Sequence, residues 1–205
     1  SQHVAILDVG ATKLCCLIAR VDSGGELQVK GVGHHVAQGV KAGVVTDMAL
    51  AEEASRSVVQ QAEDMAEQTI EDVIVVTTAG GVTSAVLTVE VSVAGHAVES
   101  ADINRVLRLA QRQMNDEPRA ILHALPACYS VDDALGVQSP EGMYGDRLGV
   151  DFHIVTAESG PLQNLEICIQ RCHLNVVSMI AAPYASGQAC LHEEEKELGV
   201  ACIDL

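Results

Sequence analysis

The sequence predicts an α/β protein: a lobe built on a mixed sheet, with a small α+β unit inserted into it. Three observations predict this. Short apolar runs bounded by small-residue turns read as buried strands, as in Val4-Ala5-Ile6-Leu7-Asp8 and Val73-Ile74-Val75-Val76. Segments of helical period separate them. Between Val82 and Thr156 the texture changes to strands with one wet face, and it changes back afterwards. The chain has 205 residues, 48% hydrophobic and 20% charged, which suits a folded chain with a sizeable core. Aromatics are 2% and Trp is absent, so that core must be Val, Ala, Leu, Ile and Met.

Taken in order, the strand Val4–Asp8 ends on a carboxylate. Val9-Gly10-Ala11-Thr12-Lys13 is a small-residue turn, and Leu14 to Val21 is a second strand. Asp22-Ser23-Gly24-Gly25 signals a turn before a third strand, Leu27 to Gly33, so the chain opens as an antiparallel meander. Thr46 or Asp47 can cap a long helix whose apolar positions are Ala51, Ala54, Val58, Ala62 and Met65. The strand Val73–Val76 follows, and Ala79-Gly80-Gly81 breaks it.

The inserted unit opens with a strand in which Val86, Thr88 and Glu90 alternate with Leu87, Val89 and Val91. Ser100 can cap a helix with Ile103, Val106, Leu107, Ala110 and Met114 on one face. Two strand-like runs follow, Ala120 to Leu125 and Cys128 to Val131. Residues 133 to 149 read as a Gly-rich connection, and Val150 to Thr156 as the last strand, giving a βαββ texture. The outer fold then resumes. Pro161 suits the first turn of a helix bearing Leu162, Leu165, Ile169 and Cys172. Asn175 to Ile180 is a strand, Pro183 opens a helix to about His192, and Gly199 to Leu205 reads as a buried strand. The expected division is 1–82 with 157–205 as the outer lobe, and 83–156 as the insert.

Charge narrows the function. Twelve Lys and Arg against 28 Asp and Glu leave a net charge of −16, so neither nucleic acid nor an anionic lipid surface is an expected partner. The seven Cys sit largely in apolar runs, as small hydrophobes in a reducing cytosol would. No run approaches the roughly 20 apolar residues of a span, and Ser1-Gln2-His3 leads directly into a strand. Any attachment to a membrane is expected to come from outside this chain.

The turn after the first strand has the chemistry of a phosphate loop. Gly10 lets backbone N–H groups approach an anion, Thr12 offers a hydroxyl between Ala11 and Lys13, and Asp8 can hold a Mg²⁺-bound water. Strand, Asp-x-Gly-x-Thr-Lys turn, strand resembles the first phosphate hairpin of the actin-like ATPase superfamily, whose fold is ribonuclease H-like. More specifically, the chain resembles the bacterial cell-division family FtsA. Gly31-Val32-Gly33, Gly39-Val40-Lys41-Ala42-Gly43-Val44-Val45-Thr46-Asp47 and Ile121–Pro126 carry that resemblance. So do Pro140–Leu148 with Asp151–Thr156, Gln163-Asn164-Leu165 and Glu195–Val200.

The resemblance implies subdomain 1A with an inserted subdomain 1C, ending as subdomain 2A begins near Asp204. It implies ATP and Mg²⁺ in the intact protein, held through Asp8, Gly10, Ala11, Thr12 and Lys13, with Asp8 acting on the metal through water. The other phosphate loop and most of the adenosine pocket belong to the absent half, so no nucleotide is expected on this fragment. It implies self-association, FtsZ binding through the absent subdomain 2B, and FtsN and other late division proteins through 1C. It implies a cytoplasmic location, peripheral to the inner membrane through a C-terminal helix expected outside this chain. Alternatives on the same fold are a PilM-like pilus-assembly adaptor and another ATPase or phosphotransferase of the superfamily. One departure matters: Ala181-Ala182 precede Pro183 where hydrolytic relatives often place Glu, so no carboxylate is available there to orient water. Weak or absent hydrolysis is expected, with no catalytic residue assigned.

Other clusters have structural readings. Cys168 and Cys172 fall on an apolar helix side and read as core rather than metal ligands. His34-His35 read as a strand-end pair, Glu193-Glu194-Glu195 as a solvated turn, Asp132-Asp133 as turn chemistry, and Cys15-Cys16 as alternating strand faces.

Overall fold

The computed structural model describes residues 2–115 and 118–203 and divides into two units, 1–82 with 158–205 and 83–157. In the first, β1 (Gln2–Val9), β2 (Lys13–Val21) and β3 (Leu27–Val36) form the antiparallel meander. A minor hairpin follows, β4 (Val40–Lys41) and β5 (Val44–Val45), and then helix α1 (Met48–Ala66). The Asp47 carboxylate caps α1 by accepting the Leu50 N–H at 3.1 Å. Strand β6 (Asp72–Thr77) lies parallel to β1.

Alternation along β1 and β2 puts Leu7, Val9, Leu14, Cys16 and Ile18 in the core, each 1% exposed or less. Helix α1 packs above them through Ala51, Ala54, Val58, Val59 and Ala62. Met65 shares their helical spacing but is 64% exposed, because the core stops one turn short of the helix end. Small residues bring α1 unusually near β3. A Cβ at Gly31 would stand 2.0 Å from the Ala62 carbonyl oxygen, and one at Gly33 1.9 Å from that of Val58.

The second unit contains β7 (Thr83–Ala97), α2 (Ser100–Asn115), β8 (Ala120–Val131), β9 (Ala134–Val137) and β10 (Tyr144–Ala157), in the sheet order β7-β10-β8-β9. Its core joins Val89, Val93, Leu148, Val150, Phe152 and Ile154 of the sheet to Val106 and Ala110 of α2. Three expectations are corrected here. Residues 120–131 are one strand: the register skips at Ala127, next to Pro126, and the ladder resumes at Cys128. A Pro is tolerated beside such a bulge because it has no N–H to donate. The Gly-rich connection contains β9, so the unit is βαβββ. Ser100 is not the cap: its hydroxyl donates to Glu141 at 2.5 Å, and the Asp102 carboxylate takes the Glu99 N–H instead.

The first unit then continues with α3 (Ser159–Arg171), β11 (Asn175–Ala181), α4 (Ala182–Cys190) and α5 (Glu193–Leu198). Strand β11 pairs parallel with β6, completing the order β11-β6-β1-β2-β3. Two parallel strands beside a three-stranded meander make the ribonuclease H-like sheet that the resemblance implies. Leu162, Leu165, Cys168 and Ile169 of α3 are buried. The triple Glu is the first turn of α5, where carboxylates suit the helix dipole, and Glu195 accepts the His192 N–H at 2.8 Å. Over residues 199–203 the strand expected at 199–205 is not formed. Residues 199–203 are exposed and lie outside any sheet, Ile203 at 79%, because no described strand offers them a ladder. Asp204 and Leu205 lie outside the described residues.

Candidate functional site

The turn between β1 and β2 is closed by a hydrogen bond from the Gly10 N–H to the Lys13 carbonyl, at 3.1 Å. A Cβ on Gly10 would come within 2.9 Å of that same oxygen, so the tightness of the turn itself requires glycine. The Gly10 N–H is therefore spent inside the turn, and it is not one of the groups left to meet a ligand. The Thr12 carbonyl accepts the Ala37 N–H at 2.9 Å, which ties the turn to the segment after β3. Ala11, Thr12 and Lys13 are exposed. The N–H groups of Ala11 and Thr12 donate to no other described residue.

Asp8 is half-buried at the end of β1, opposite Cys15 of β2. Burial pushes the Cys15 thiol up from its ordinary value; the Asp8 carboxylate adds to the rise and Lys13 opposes it. Carboxylate and ammonium thus both act across the base of the turn.

The sheet brings two further segments to this edge. Val9 of β1 is level with Thr77 of β6, which is level with Ala181 of β11. Three strands running in the same direction therefore end side by side. Ligands of open α/β sheets collect beyond such carboxyl ends. Past β6 the chain turns through Gly80 and Gly81, both at positive φ, and the Ala79 N–H is held by the Thr77 hydroxyl at 3.0 Å. Past β11, α4 starts at Ala182 with Pro183 in its first turn and no side-chain cap on its N-terminus. That end carries the positive pole of the helix. The sequence marked Gly80-Gly81 as a break and Pro183 as a helix start. Their meeting beside Asp8–Lys13 depends on the parallel pairing, which no short-range signal encodes.

The assembled edge offers free amides, a hydroxyl, an ammonium group and a helix N-terminus to an anion, and one carboxylate to a cation or its water shell. Ala181 and Ala182 add no acid or base. No group of three or more His, Cys, Asp or Glu suited to a metal occurs among the described residues. Cys168 is buried and the Cys172 thiol donates to the Cys168 carbonyl at 3.4 Å, as core packing requires. Asp132, at φ 50°, accepts the Asp146 and Arg147 N–H groups at 3.0 and 2.9 Å, which is turn chemistry. His34 and His35 lie at the end of β3.

Residues 79–156 match the family described as "SHS2 domain inserted in FTSA". The whole chain is 42% identical to the cell division protein FtsA of Agrobacterium fabrum, covering 48% of its length. It is 43% identical to FtsA of Rhizobium meliloti, covering 49%. The chain thus spans about half the length of these relatives. Among solved structures, a PilM–PilN type IV pilus biogenesis complex aligns over 90% of this chain and 49% of its own, at a TM-score of 0.53 and 13% identity. That likeness is one of fold.

Proposed function

From the premise that the chain belongs to the FtsA family of cell-division proteins, we propose that it is part of an actin-like, ATP-binding division scaffold. In this reading the turn Gly10–Lys13 takes nucleotide phosphates on the Ala11 and Thr12 amides, the Thr12 hydroxyl and the Lys13 ammonium group. Asp8 orients a water of the accompanying Mg²⁺. The bound nucleotide supplies the charge that bridges this edge to a second set of donors in the other half of the protein. The observation that carries the reading is the free pair of amides in a glycine-tightened turn, beside three level strand ends.

The function is binding and assembly rather than turnover. Without a carboxylate at Ala181 or Ala182, nothing at that position can accept a proton from an attacking water. Self-association, tethering of FtsZ to the cytoplasmic face of the inner membrane, and contacts of residues 83–157 with FtsN and other late division proteins complete the proposal. FtsZ and membrane contacts fall to regions outside this chain. No described helix is long and apolar enough to cross a membrane. The FtsA reading is preferred to a PilM-like one because sequence identity is 42% over the whole chain in the first case and 13% over 90% of it in the second.

Calorimetric titration of Mg²⁺-ATP tests this on two proteins, the 205-residue chain and the full-length protein that contains it. Half the donors face the full entropic cost of fixing the ligand, so the chain alone binds very weakly. The full-length protein binds, and Asp8→Ala weakens it whereas Cys172→Ala does not. Equal affinity in the Asp8→Ala protein, or micromolar binding by the chain alone, refutes the site.

A further inference from the structure

Basic residues are scarce in this chain, twelve among 205, yet three stand on the 16 residues of α2 against a single acid. Arg105, Arg108 and Arg112 are spaced three and four apart, so they form one stripe along the helix. All three are exposed, on the side away from Val106 and Ala110, which face the sheet. The one acid, Asp102, is 5% exposed and already engaged: it accepts the Glu99 N–H at 3.1 Å and the Arg105 guanidinium at 3.0 Å. Arg105 also donates to the Ser92 carbonyl. Arg108 and Arg112 make no hydrogen bond or ion pair with any described residue. Asp116 and Glu117, next in the chain, lie outside those residues.

This arrangement is unfavourable by itself. Like charges four apart on a helix repel. Arg112, in the last turn, gains from the helix dipole, but Arg108, a turn earlier, does not. Of the 28 acids in the chain, none among the described residues forms an ion pair with Arg108 or Arg112.

We propose that the Arg105–Arg108–Arg112 stripe is a docking surface for an acidic polypeptide segment that presents carboxylates one helical turn apart. Guanidinium groups suit this because each can bind a carboxylate through two parallel hydrogen bonds. The positions around the stripe argue against a lipid bilayer as the occupant. Ala101, Asn104 and Gln111 are small or polar, Leu109 beside them is packed against the core, and the net charge of −16 opposes approach to anionic headgroups. The inference rests on the insert being an interaction module, as proposed above. It does not depend on the nucleotide site, so the failure of one can be told from the failure of the other.

The test uses the 205-residue chain and a fluorescent 16-residue helical peptide with Glu at every fourth position, read by anisotropy without nucleotide. A Gln-for-Glu peptide is the control. The Glu peptide binds, the Gln peptide does not, and binding is lost near 1 M salt, where the screening length is roughly 3 Å. The double variant Arg108→Glu, Arg112→Glu, shown folded by circular dichroism, loses about tenfold or more in affinity and gains affinity for a Lys peptide. The milder pair Arg108→Gln, Arg112→Gln gives a smaller loss, and Arg147→Ala, at an exposed arginine on β10, gives none. Unchanged binding in both double variants overturns the proposal. So does arginine-dependent binding to phosphatidylglycerol vesicles without peptide binding, which would assign the stripe to lipid. Arginine-dependent self-association in sedimentation overturns it as well, because the occupant would then be a second copy.

Discussion

Both units lay a helix on a sheet, and they do it in opposite ways. In the first, α1 approaches β3 backbone to backbone, and Gly31 and Gly33 leave no room for even a methyl group. In the second, α2 stands off its sheet on Val, Leu, Ile and Phe side chains, with Val106 and Ala110 as its fully buried contacts. The first interface is set by absent side chains and tolerates no addition. The second is set by side-chain volume and fails by deletion. A glycine in a strand normally weakens it. Here two of them hold the helix that covers Leu7, Leu14 and Ile18, and so fix the end of β1 from which the Gly10–Lys13 turn springs.

The largest effect that would break this comparison is Gly33→Ala. The new Cβ meets a helix carbonyl rather than a flexible side chain, so α1 must move as a body. We expect a loss of about 3 kcal/mol or more, or failure to fold, in urea titration. A loss below about 1 kcal/mol would show that α1 can slide. Next comes Leu148→Ala in the second unit, at 0% exposure, which should cost about 3 kcal/mol through lost transfer energy and the cavity left behind. Hydrogen exchange should place the weakening in residues 83–157, and protection lost instead across β1–β3 would contradict two separate cores.

Alkaline pH sharpens the contrast further. Burial pushes the Cys16 thiol up to about 12 and that of Cys172 to about 11, with neighbouring Cys15 and Cys168 respectively adding to the rise. Both lie in the first unit. A pKa raised by folding means that the folded state holds its proton more tightly than the unfolded one. The associated stability is fully present below about 9, the value of an unburied thiol, and is lost as pH rises through the interval up to about 12. Thermal melts from neutral pH upward should show the first unit weakening above about pH 9, and Cys16→Ala should reduce that slope. An identical slope in the variant would mean that the thiol is not the titrating group.

The smallest pair compares two ends of α1. Asp47→Ala removes the cap and should cost about 1 kcal/mol. Met65→Ala, at an exposed position, should stay within about 0.5 kcal/mol of zero in the same denaturation assay.

Much of the molecule is local and therefore legible. The meander, both long helices and the Gly10–Lys13 turn follow from period, turn residues and one glycine, because each is decided within a few residues. The change of texture near Val82 and its return near Thr156 are local signals of the same kind. Errors fell where a distant partner decides the outcome. Gly199–Ile203 reads as a strand by its apolar residues, but a strand exists only with a neighbour to take its N–H and C=O groups. Ala120–Val131 reads as two strands because Pro126 interrupts the pattern, and pairing to β10 across a bulge makes it one.

The sequence by itself determined the local chemistry: an Asp-bearing strand, a turn that must contain glycine, an acidic chain, and a helix with three arginines in a row. The tertiary structure decided that no distant described group takes the Ala11 and Thr12 N–H groups, the Gly10 N–H being spent locally on Lys13. It alone made Val9, Thr77 and Ala181 level, and left Arg108 and Arg112 without a described carboxylate. The physical reason is the range of the interactions. Backbone conformation is chosen by neighbours in the chain, whereas convergence at a sheet edge and the pairing of charges depend on residues tens of positions apart, brought together only when the core closes.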